Sequence, residues 1–585
     1  MQKKNLSPAE TVPRDSIKSN RFLGRVTHWL AQLPRAAYQR LRRTARCPRC
    51  KADVSTDPLY QRLRVCSNCG HHFACSARER IHHLVDPHTF RAFKLAIPSG
   101  FPDLHRLRLR ATHLRKAVIT GTANLAQQSV VIVVFDFRFH GGSMSVDVGE
   151  TITRALEYAT EHPLPIIAII STGGVRIQEG MPALLQMAKT AQAAQEFRRT
   201  GRPFISVLCN PTTGGVYASF ANLADILLAE PGAVIGFAGP RVAEALLHTK
   251  LPANSHHAES AYANGMIDAI VPRANLRITL SQILALTGPG SSLIRTAPLS
   301  LQDYTQAIED KQHHELNAWE TVVRVRRVDR PTALDYIRRV CSNFIELHGD
   351  RLHGDDPAMV GGLGQFENQP VVVIAQERGQ GEEHHRGSAG PDGYRKAERL
   401  MHLAERWHLP IITLVDTPGA NPGYESERGG IASAIANCLA TLIQIRVPTV
   451  SLIIGEGTSG GALALAVTDR VLMMEHATFS VISPEGASAI LFGDASHASQ
   501  AAENLGLDAR DLLRRGIIDC IVPEPPEGGQ VQPQAAIEEA KRALSKTLTE
   551  LRSSRDAERL SARRERYRRT ERDASLSPRD HKSLR

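Results

Sequence analysis

The sequence predicts an α/β protein in which two copies of one parallel-sheet domain follow a small four-cysteine module. Three observations carry this. Two CxxC pairs lie within residues 47–69. Several segments recur at a constant offset of 245 residues. In each copy, short β-branched apolar runs alternate with amphipathic stretches of helix length, the pattern of a sheet with helical crossovers.

Length and charge bound the rest. At roughly 150 residues per domain, 585 residues suggest three to four units. A hydrophobic content of 42% supports a sizeable core. The chain has no run of 18 apolar residues, so no transmembrane helix is expected. Met1–Glu10 is polar and lacks the apolar segment of a secretory signal, so a cytoplasmic location is expected. The net charge of +11 is uneven: +9 falls in residues 1–46 and +6 in 551–585, leaving −4 between. Residues 1–46 read as a basic flexible tail and 546–585 as a second basic tail. Such ends are solvated, or they meet nucleic acid or another acidic partner. Within the first, Phe22, Val26, Trp29 and Leu33 have the spacing of a basic amphipathic helix over Arg21–Arg43.

Of nine cysteines, five lie within Cys47–Cys75, and Cys209, Cys341, Cys438 and Cys520 are isolated. A secreted disulfide scaffold would not space them so. The isolated four read as small buried hydrophobes in a reducing compartment. The cluster reads Cys47-Pro-Arg-Cys50, fifteen residues, then Cys66-Ser-Asn-Cys69. Each pair makes a tight knuckle, and two knuckles supply the four thiolates of one tetrahedral Zn2+ per chain. Residues 47–78 are therefore expected to be a zinc ribbon, with the Asp57-Pro58 turn inside a short hairpin. A redox pair would instead place one CxxC beside a βαβ unit. His71, His72 and Cys75 stay outside the ligand set. Four protein ligands leave no position for water, so the metal is structural. It would contribute folding free energy on the order of 10 kcal/mol.

Behind the ribbon, Leu164–Gly174 is similar to Leu409–Ala420, and Pro203–Gly215 to Pro448–Gly461. One offset kept over both argues for a duplicated fold. Ile166–Ile170 and Phe204–Leu208 are short, β-branched and apolar, as buried strands are. Ala183–Arg198 and Gly393–Trp407 read as helices with polar faces. Gly288–Ser292 has linker composition.

Each half carries two small-residue turns directly after a buried strand: Gly173-Gly174 and Gly214-Gly215, then Gly419-Ala420 and Gly460-Gly461. A turn opening a helix leaves backbone N–H groups unpaired, and small residues let a ligand reach them. Two such turns converging make an oxyanion hole. A lone pair of glycines would only end a strand; repetition in both halves favours the chemical reading. A phosphate loop is disfavoured, since no G-x-x-x-x-G-K-[ST] occurs. Ser459 suggests a serine hydrolase, but no His–Asp pair can be assigned to it. Asp416 reads as a turn-capping carboxylate or an acid–base group.

These segments together resemble the carboxyltransferase component of bacterial acetyl-CoA carboxylase, with beta and alpha subunits fused, beta first. The beta-type resemblance rests on the ribbon, Gly141–Met144, Ser171–Glu179, Asn210–Val216 and Ile235–Val242. The alpha-type resemblance rests on Pro331–Tyr336, Gly393–Ala397, Asp416–Ala420, Ile454–Gly457, Ser459–Ala464 and Val481–Gly486. It implies a beta-type domain over 79–285, a linker over 286–316 and an alpha-type domain over 317–545, each half crotonase-like (ClpP/crotonase superfamily). It implies transfer of a carboxyl group from carboxybiotin on a carrier protein to acetyl-CoA, giving malonyl-CoA for fatty acid synthesis. Biotin carboxyl carrier protein, the ATP-dependent biotin carboxylase and a second copy of the chain are the implied partners. By the same resemblance, Gly173, Gly174, Gly214 and Gly215 hold the thioester enolate oxygen. Gly419, Ala420, Gly460, Gly461 and Ala462 hold the biotin ureido oxygen.

The sequence departs from that pattern in places. Ser145–Thr151 lacks a glycine and a lysine usual there. Gln380–Gly390 is shorter and more acidic than usual, and Asn421 and Thr458 stand where tyrosine and glycine are usual. Other readings stay open: a propionyl-CoA carboxyltransferase; a decarboxylase; a hydratase using a glutamate such as Glu179 or Glu456; or a nucleic-acid-binding regulator acting through the ribbon and basic tails.

Overall fold

A computed structural model of the chain describes residues 46–94, 116–252, 254–287, 316–379 and 381–569. The Arg21–Arg43 segment, Gly288–Ser292 and residues 570–585 lie outside the described residues. The chain forms two compact units, the first ending at Phe73 and the second running from Ala74. The first thus ends five residues before the expected ribbon boundary, because Ala77–Leu84 is a helix whose Ala77, Ile81 and Leu84 join the core of the second unit.

In the first unit each knuckle is closed by one antiparallel bridge, Arg46 with Asp53 and Val65 with His72. The expected hairpin between the knuckles is instead a short helix, Pro58–Leu63. Asp57 decides this. Its carboxylate accepts from the N–H groups of Leu59 and Tyr60 at 2.8 and 3.3 Å, and Pro58 occupies the first helical position, where no N–H is missed. The other carboxylate oxygen accepts from Ser67 N and Oγ at 2.9 and 2.8 Å, tying the helix to the second knuckle.

The second unit contains two eight-stranded sheets. The first comprises β1 (Arg91–Ala92), β2 (Val118–Leu125), β3 (Gln128–Phe135), β4 (Ile166–Thr172), β5 (Phe204–Thr213), β6 (Ile226–Ala229), β7 (Ile235–Gly236) and β8 (Ala269–Ile270). The second comprises β9 (Ser342–Glu346), β10 (Met359–Phe366), β11 (Gln369–Gln376), β12 (Ile411–Thr417), β13 (Thr449–Thr458), β14 (Arg470–Met474), β15 (Thr478–Ser480) and β16 (Cys520–Val522). Strand order is β1-β2-β3-β4-β5-β6-β8 with β7 on β5, and β9-β10-β11-β12-β13-β14-β16 with β15 on β13. The duplication is therefore complete at the level of topology. The 245-residue offset survives in the pairing, since Ile166 faces Phe204 and Ile411 faces Thr449. The two predicted helices are present as Gln186–Arg198, preceded by a short turn of helix at Met181–Leu184, and as Pro391–Trp407.

Strand alternation divides the core. Ile166, Ala168 and Ile170 of β4 enter one cluster, whereas Ile167 and Ile169 enter a second that runs on into the alpha-type half. The helix Leu276–Thr287 supplies Leu280, Ile283 and Leu284 to that shared core. Two buried carboxylates of the first half also cross the junction. Asp268 pairs with Arg351 and Arg399, and Asp225 with Arg406.

The second basic tail needs correcting. Residues 546–569 belong to two helices, Pro533–Ser553 and Asp556–Arg569. Arg563 is fully buried, with Nε donating to Asp469 at 2.9 Å and Nη1 to the Leu442 and Ile445 carbonyls at 2.7 Å each. Its charge serves an internal ion pair and the open end of helix Ile431–Gln444 rather than solvent.

Candidate active site

Each expected turn leaves the carboxyl end of a central strand. In the first half β4 runs into Gly173-Gly174, and β5 into Gly214-Gly215, which open one turn of 3-10 helix. Thr172 faces Thr212 in the sheet, so the turns emerge side by side. They touch: a Cβ on Gly214 would lie 2.8 Å from Gly174 Cα, and one on Gly174 would lie 3.0 Å from Gly214 Cα. Both residues are also left-handed, with φ of +105° and +72°. In the second half β12 runs through Pro418 into Gly419-Ala420, and β13 into helix Ser459–Ala466. There a Cβ on Gly461 would lie 2.5 Å from Ala420 N. The structure thus gathers the expected residues into two sets, one per half.

Two details differ from the sequence reading. First, strand register matches Gly174 with Gly419 and Gly214 with Ser459, whose φ of +64° repeats the left-handed bend. Gly460-Gly461 therefore sits one residue further along than Gly214-Gly215, and Gly419-Ala420 one further than Gly173-Gly174. Second, three of the expected donors are used internally. Gly173 N–H donates to Gly141 O at 2.8 Å, Gly174 N–H to Thr172 Oγ1 at 3.0 Å, and Gly419 N–H to Thr417 Oγ1 at 3.1 Å. These glycines shape the turns rather than offering N–H groups. Thr172 and Thr417, at the same 245-residue offset, were the available signal. Gly460 and Gly461 lie in the first turn of a helix, whose N–H groups have no acceptor four residues back. Ala462 is fully buried behind them.

The loop preceding helix Pro391–Trp407 is pinned onto the second set. Ser388 Oγ donates to Gly419 O at 2.8 Å, and Asn421 N–H to Ala389 O at 2.9 Å. A cavity of about 500 Å³ opens beside it, lined by His353, Asp356, His385, Asn421, Glu425 and Arg428 among others.

The ionisable candidates are occupied. Asp416 is buried, which raises its pKa; it accepts from Glu456 N–H at 2.9 Å and faces Arg378 at 3.4 Å. That is a bracing role between β12 and β13. Glu456 is held by Arg326 and Arg378, and Glu179 by Arg176 while it also accepts from Val146 N–H. Neither glutamate is placed as a free hydratase base. Ser459 is exposed on its left-handed bend.

In the first unit, the sulfurs of Cys47, Cys50, Cys66 and Cys69 all lie within 4.8 Å of one another, with 3.5 Å between Cys47 and Cys69 and 3.7 Å between Cys50 and Cys66. A tetrahedral ion with bonds of about 2.3 Å to sulfur needs edges of about 3.8 Å. The donor set fits. The Asn68 side chain, helped by the Ala52 backbone, holds the Cys50 thiol down at about 6, whereas burial pushes Cys69 up to about 12.

Comparison with known proteins decides the family. The model for the acetyl co-enzyme A carboxylase carboxyltransferase-like family matches residues 266–571. Acetyl-coenzyme A carboxylase carboxyl transferase subunits beta/alpha of Salinispora tropica is 44% identical over 545 residues, covering 90% of this chain and 96% of that protein. The protein of the same name from Natranaerobius thermophilus is 40% identical, covering 89% and 90%. This chain belongs to the acetyl-CoA carboxylase carboxyltransferase family. Among solved structures, the transcarboxylase 12S hexamer core with methylmalonyl-coenzyme A bound superposes with a TM-score of 0.65 at 20% identity, over 80% of this chain and 89% of that one. A single-chain, multi-domain long-chain acyl-CoA carboxylase gives 0.62 at 19%, over 89% and 49%. Both halves of the carboxyltransferase therefore have the crotonase-like fold.

Two departures from the family pattern have local explanations. Thr151, where lysine is usual, accepts from Lys116 Nζ at 3.2 Å, so a cation still reaches this place. Asn421 accepts from Gly423 N–H at 2.9 Å, closing a turn of its own.

Proposed function

We propose that this carboxyltransferase moves the carboxyl group of carboxybiotin, presented on a carrier protein, to acetyl-CoA, giving malonyl-CoA for fatty acid synthesis. Biotin carboxylase, consuming ATP, would supply the carboxylated carrier. The observation that carries this reading is 44% identity to a beta/alpha relative across 90% of the chain, joined to two strand-end turn sets, one per half.

In this reading the Gly173–Gly174 and Gly214–Gly215 turns receive the thioester, with donors drawn from the Gly214–Val216 turn. The Gly419–Ala420 turn and the helix opening at Gly460, Gly461 and Ala462 receive the ureido oxygen. Carboxybiotin supplies the carboxyl group and, once relieved of it, a basic nitrogen for the methyl proton. The chain's own work is to present backbone N–H groups where negative charge develops and to hold the two reactants together. Zn2+ on Cys47, Cys50, Cys66 and Cys69 is a closed structural site.

Assembly as a homodimer or larger oligomer is supported by large exposed apolar side chains: Ile177, Met181 and Phe237 in one half, Tyr424, Val481 and Ile490 in the other. Sedimentation of the purified chain tests this. No helix among the described residues is long and apolar enough to cross a membrane; a cytoplasmic location is proposed from the metabolic role.

Purified protein given biotin and malonyl-CoA should form acetyl-CoA. Folded, zinc-loaded protein with no turnover beside an active control would overturn the reading. The forward assay with acetyl-CoA and propionyl-CoA measures acyl preference.

A further inference from the structure

The duplication provides an internal control: wherever the two halves differ at a matched position beside the turns, the difference bears on which reactant each half takes. One such difference is buried and polar. Gly461 O accepts from Gln376 Nε2 at 2.8 Å and from Tyr394 Oη–H at 3.2 Å. Both side chains are fully buried, Gln376 at the end of β11 and Tyr394 in helix Pro391–Trp407. The amide orientation is forced. Reversed, its oxygen would face Gly461 O at the same 2.8 Å. As it stands, Gln376 Oε1 is buried with no partner, a cost accepted to hold one carbonyl.

The first half has neither donor. Val134 faces Ile169 where Ala375 faces Leu414, so the sheet register matches Gln376 with Phe135, which packs on Phe220. Left-handed Gly142 and Gly387 lie 245 apart and fix the helices that follow, matching Tyr394 with Gly149; the space beside Gly149 is filled by Gln186. By the register above, Gly461 matches Val216, whose carbonyl accepts from Ser219 Oγ and N–H at 3.4 Å each, three residues on in the same segment, while Val175 and Met187 pack on the turn, 2.6 Å and 2.7 Å from where a Cβ on Gly215 would lie. Among the described residues, a clamp supplied by a separate strand and a separate helix is thus peculiar to the half with the helical turn.

We propose that Gln376 and Tyr394 are positioning residues for the carboxyl-donor side of the site. By fixing the Gly461 carbonyl they set the direction of the adjoining N–H groups, and so the affinity and alignment of the biotin ring. The proposal rests on the functional reading above. It predicts an effect on one reactant only.

The test uses the full chain in the malonyl-CoA-plus-biotin assay, varying each reactant separately. Tyr394→Phe keeps the ring in its slot and removes one donor. It should raise KM for biotin about tenfold, the scale of one lost hydrogen bond. Gln376→Leu should have a larger effect. KM for malonyl-CoA should stay within about twofold, and the melting temperature of Tyr394→Phe near that of the parent. An unchanged KM for biotin, or equal rises for both reactants, would overturn the proposal. If Gln376→Leu does not fold, Tyr394→Phe alone decides. An inactive parent chain would instead sink the functional reading.

Discussion

At the scale of single residues, the site is built from places where a side chain will not fit. Gly174 is constrained twice, by a left-handed φ and by Gly214 Cα lying 3.0 Å from where its Cβ would be. Gly461 meets Ala420 N in the same way at 2.5 Å. Gly174→Val or Gly461→Val should push one turn off its neighbour. A displacement near 1 Å at a donor costs about 10²-fold in turnover, whereas zinc content should be unchanged. Metal analysis and the malonyl-CoA assay on the same sample check this; a variant with parental turnover would refute the placement of the turns. Thr172 and Thr417 act one level back, since each fixes its turn by accepting the glycine N–H.

At the scale of elements, two pieces depend on a few polar side chains. The ribbon has an apolar cluster of three buried residues, Cys47, Val54 and Cys66, two of them proposed metal ligands. Its remaining order comes from the Asp57 cap and from whatever the cysteines bind. Cys66→Ala should therefore lose zinc and unfold residues 46–73, read by metal analysis and by protease cutting in that stretch. Retained zinc with an intact ribbon would contradict the assignment. At the other end, Arg563 spans Asp469 and the last carbonyls of helix Ile431–Gln444. Arg563→Ala leaves a buried carboxylate, which also accepts from Thr449 N–H at the start of β13, with the more distant Arg559 at 3.9 Å as its cation. A loss of about 3–5 kcal/mol is expected for breaking one side of such a pair, measured as a shift in the denaturant midpoint.

At the scale of the second unit, the two halves are joined through a common apolar core and through Asp268 and Asp225. Asp268 is fully buried, receives Arg351 and Arg399, and accepts from Leu227 N–H at 2.7 Å. Burial pulls the Arg351 guanidinium down to about 10, and both arginines keep only a minor part of their side chains in contact with solvent. Asp268→Ala should leave two cations facing the junction and cost about 3–5 kcal/mol. The denaturant midpoint measures this, and unchanged stability would count against this junction.

The sequence by itself determined the periodic and the local features. Alternating apolar runs placed β4, β5 and their counterparts, CxxC spacing placed the four cysteines that cluster, and one offset revealed the duplication. Each of these depends on residues a few positions apart or on self-similarity, which a linear string displays. It misjudged the span after Asp57 because a helix cap and a hairpin turn share the Asp-Pro signal. Only tertiary structure showed that the arginines of 555–568 are partly internal, because charge counts do not register burial. It also shifted the matching of the glycine pairs by one residue, since strand register is fixed by hydrogen bonds across the sheet and not by like letters. The bond from Gly173 N–H to Gly141 O, and the grip of Gln376 and Tyr394 on Gly461, likewise join atoms far apart in the chain. Such contacts exist only once the chain has closed on itself.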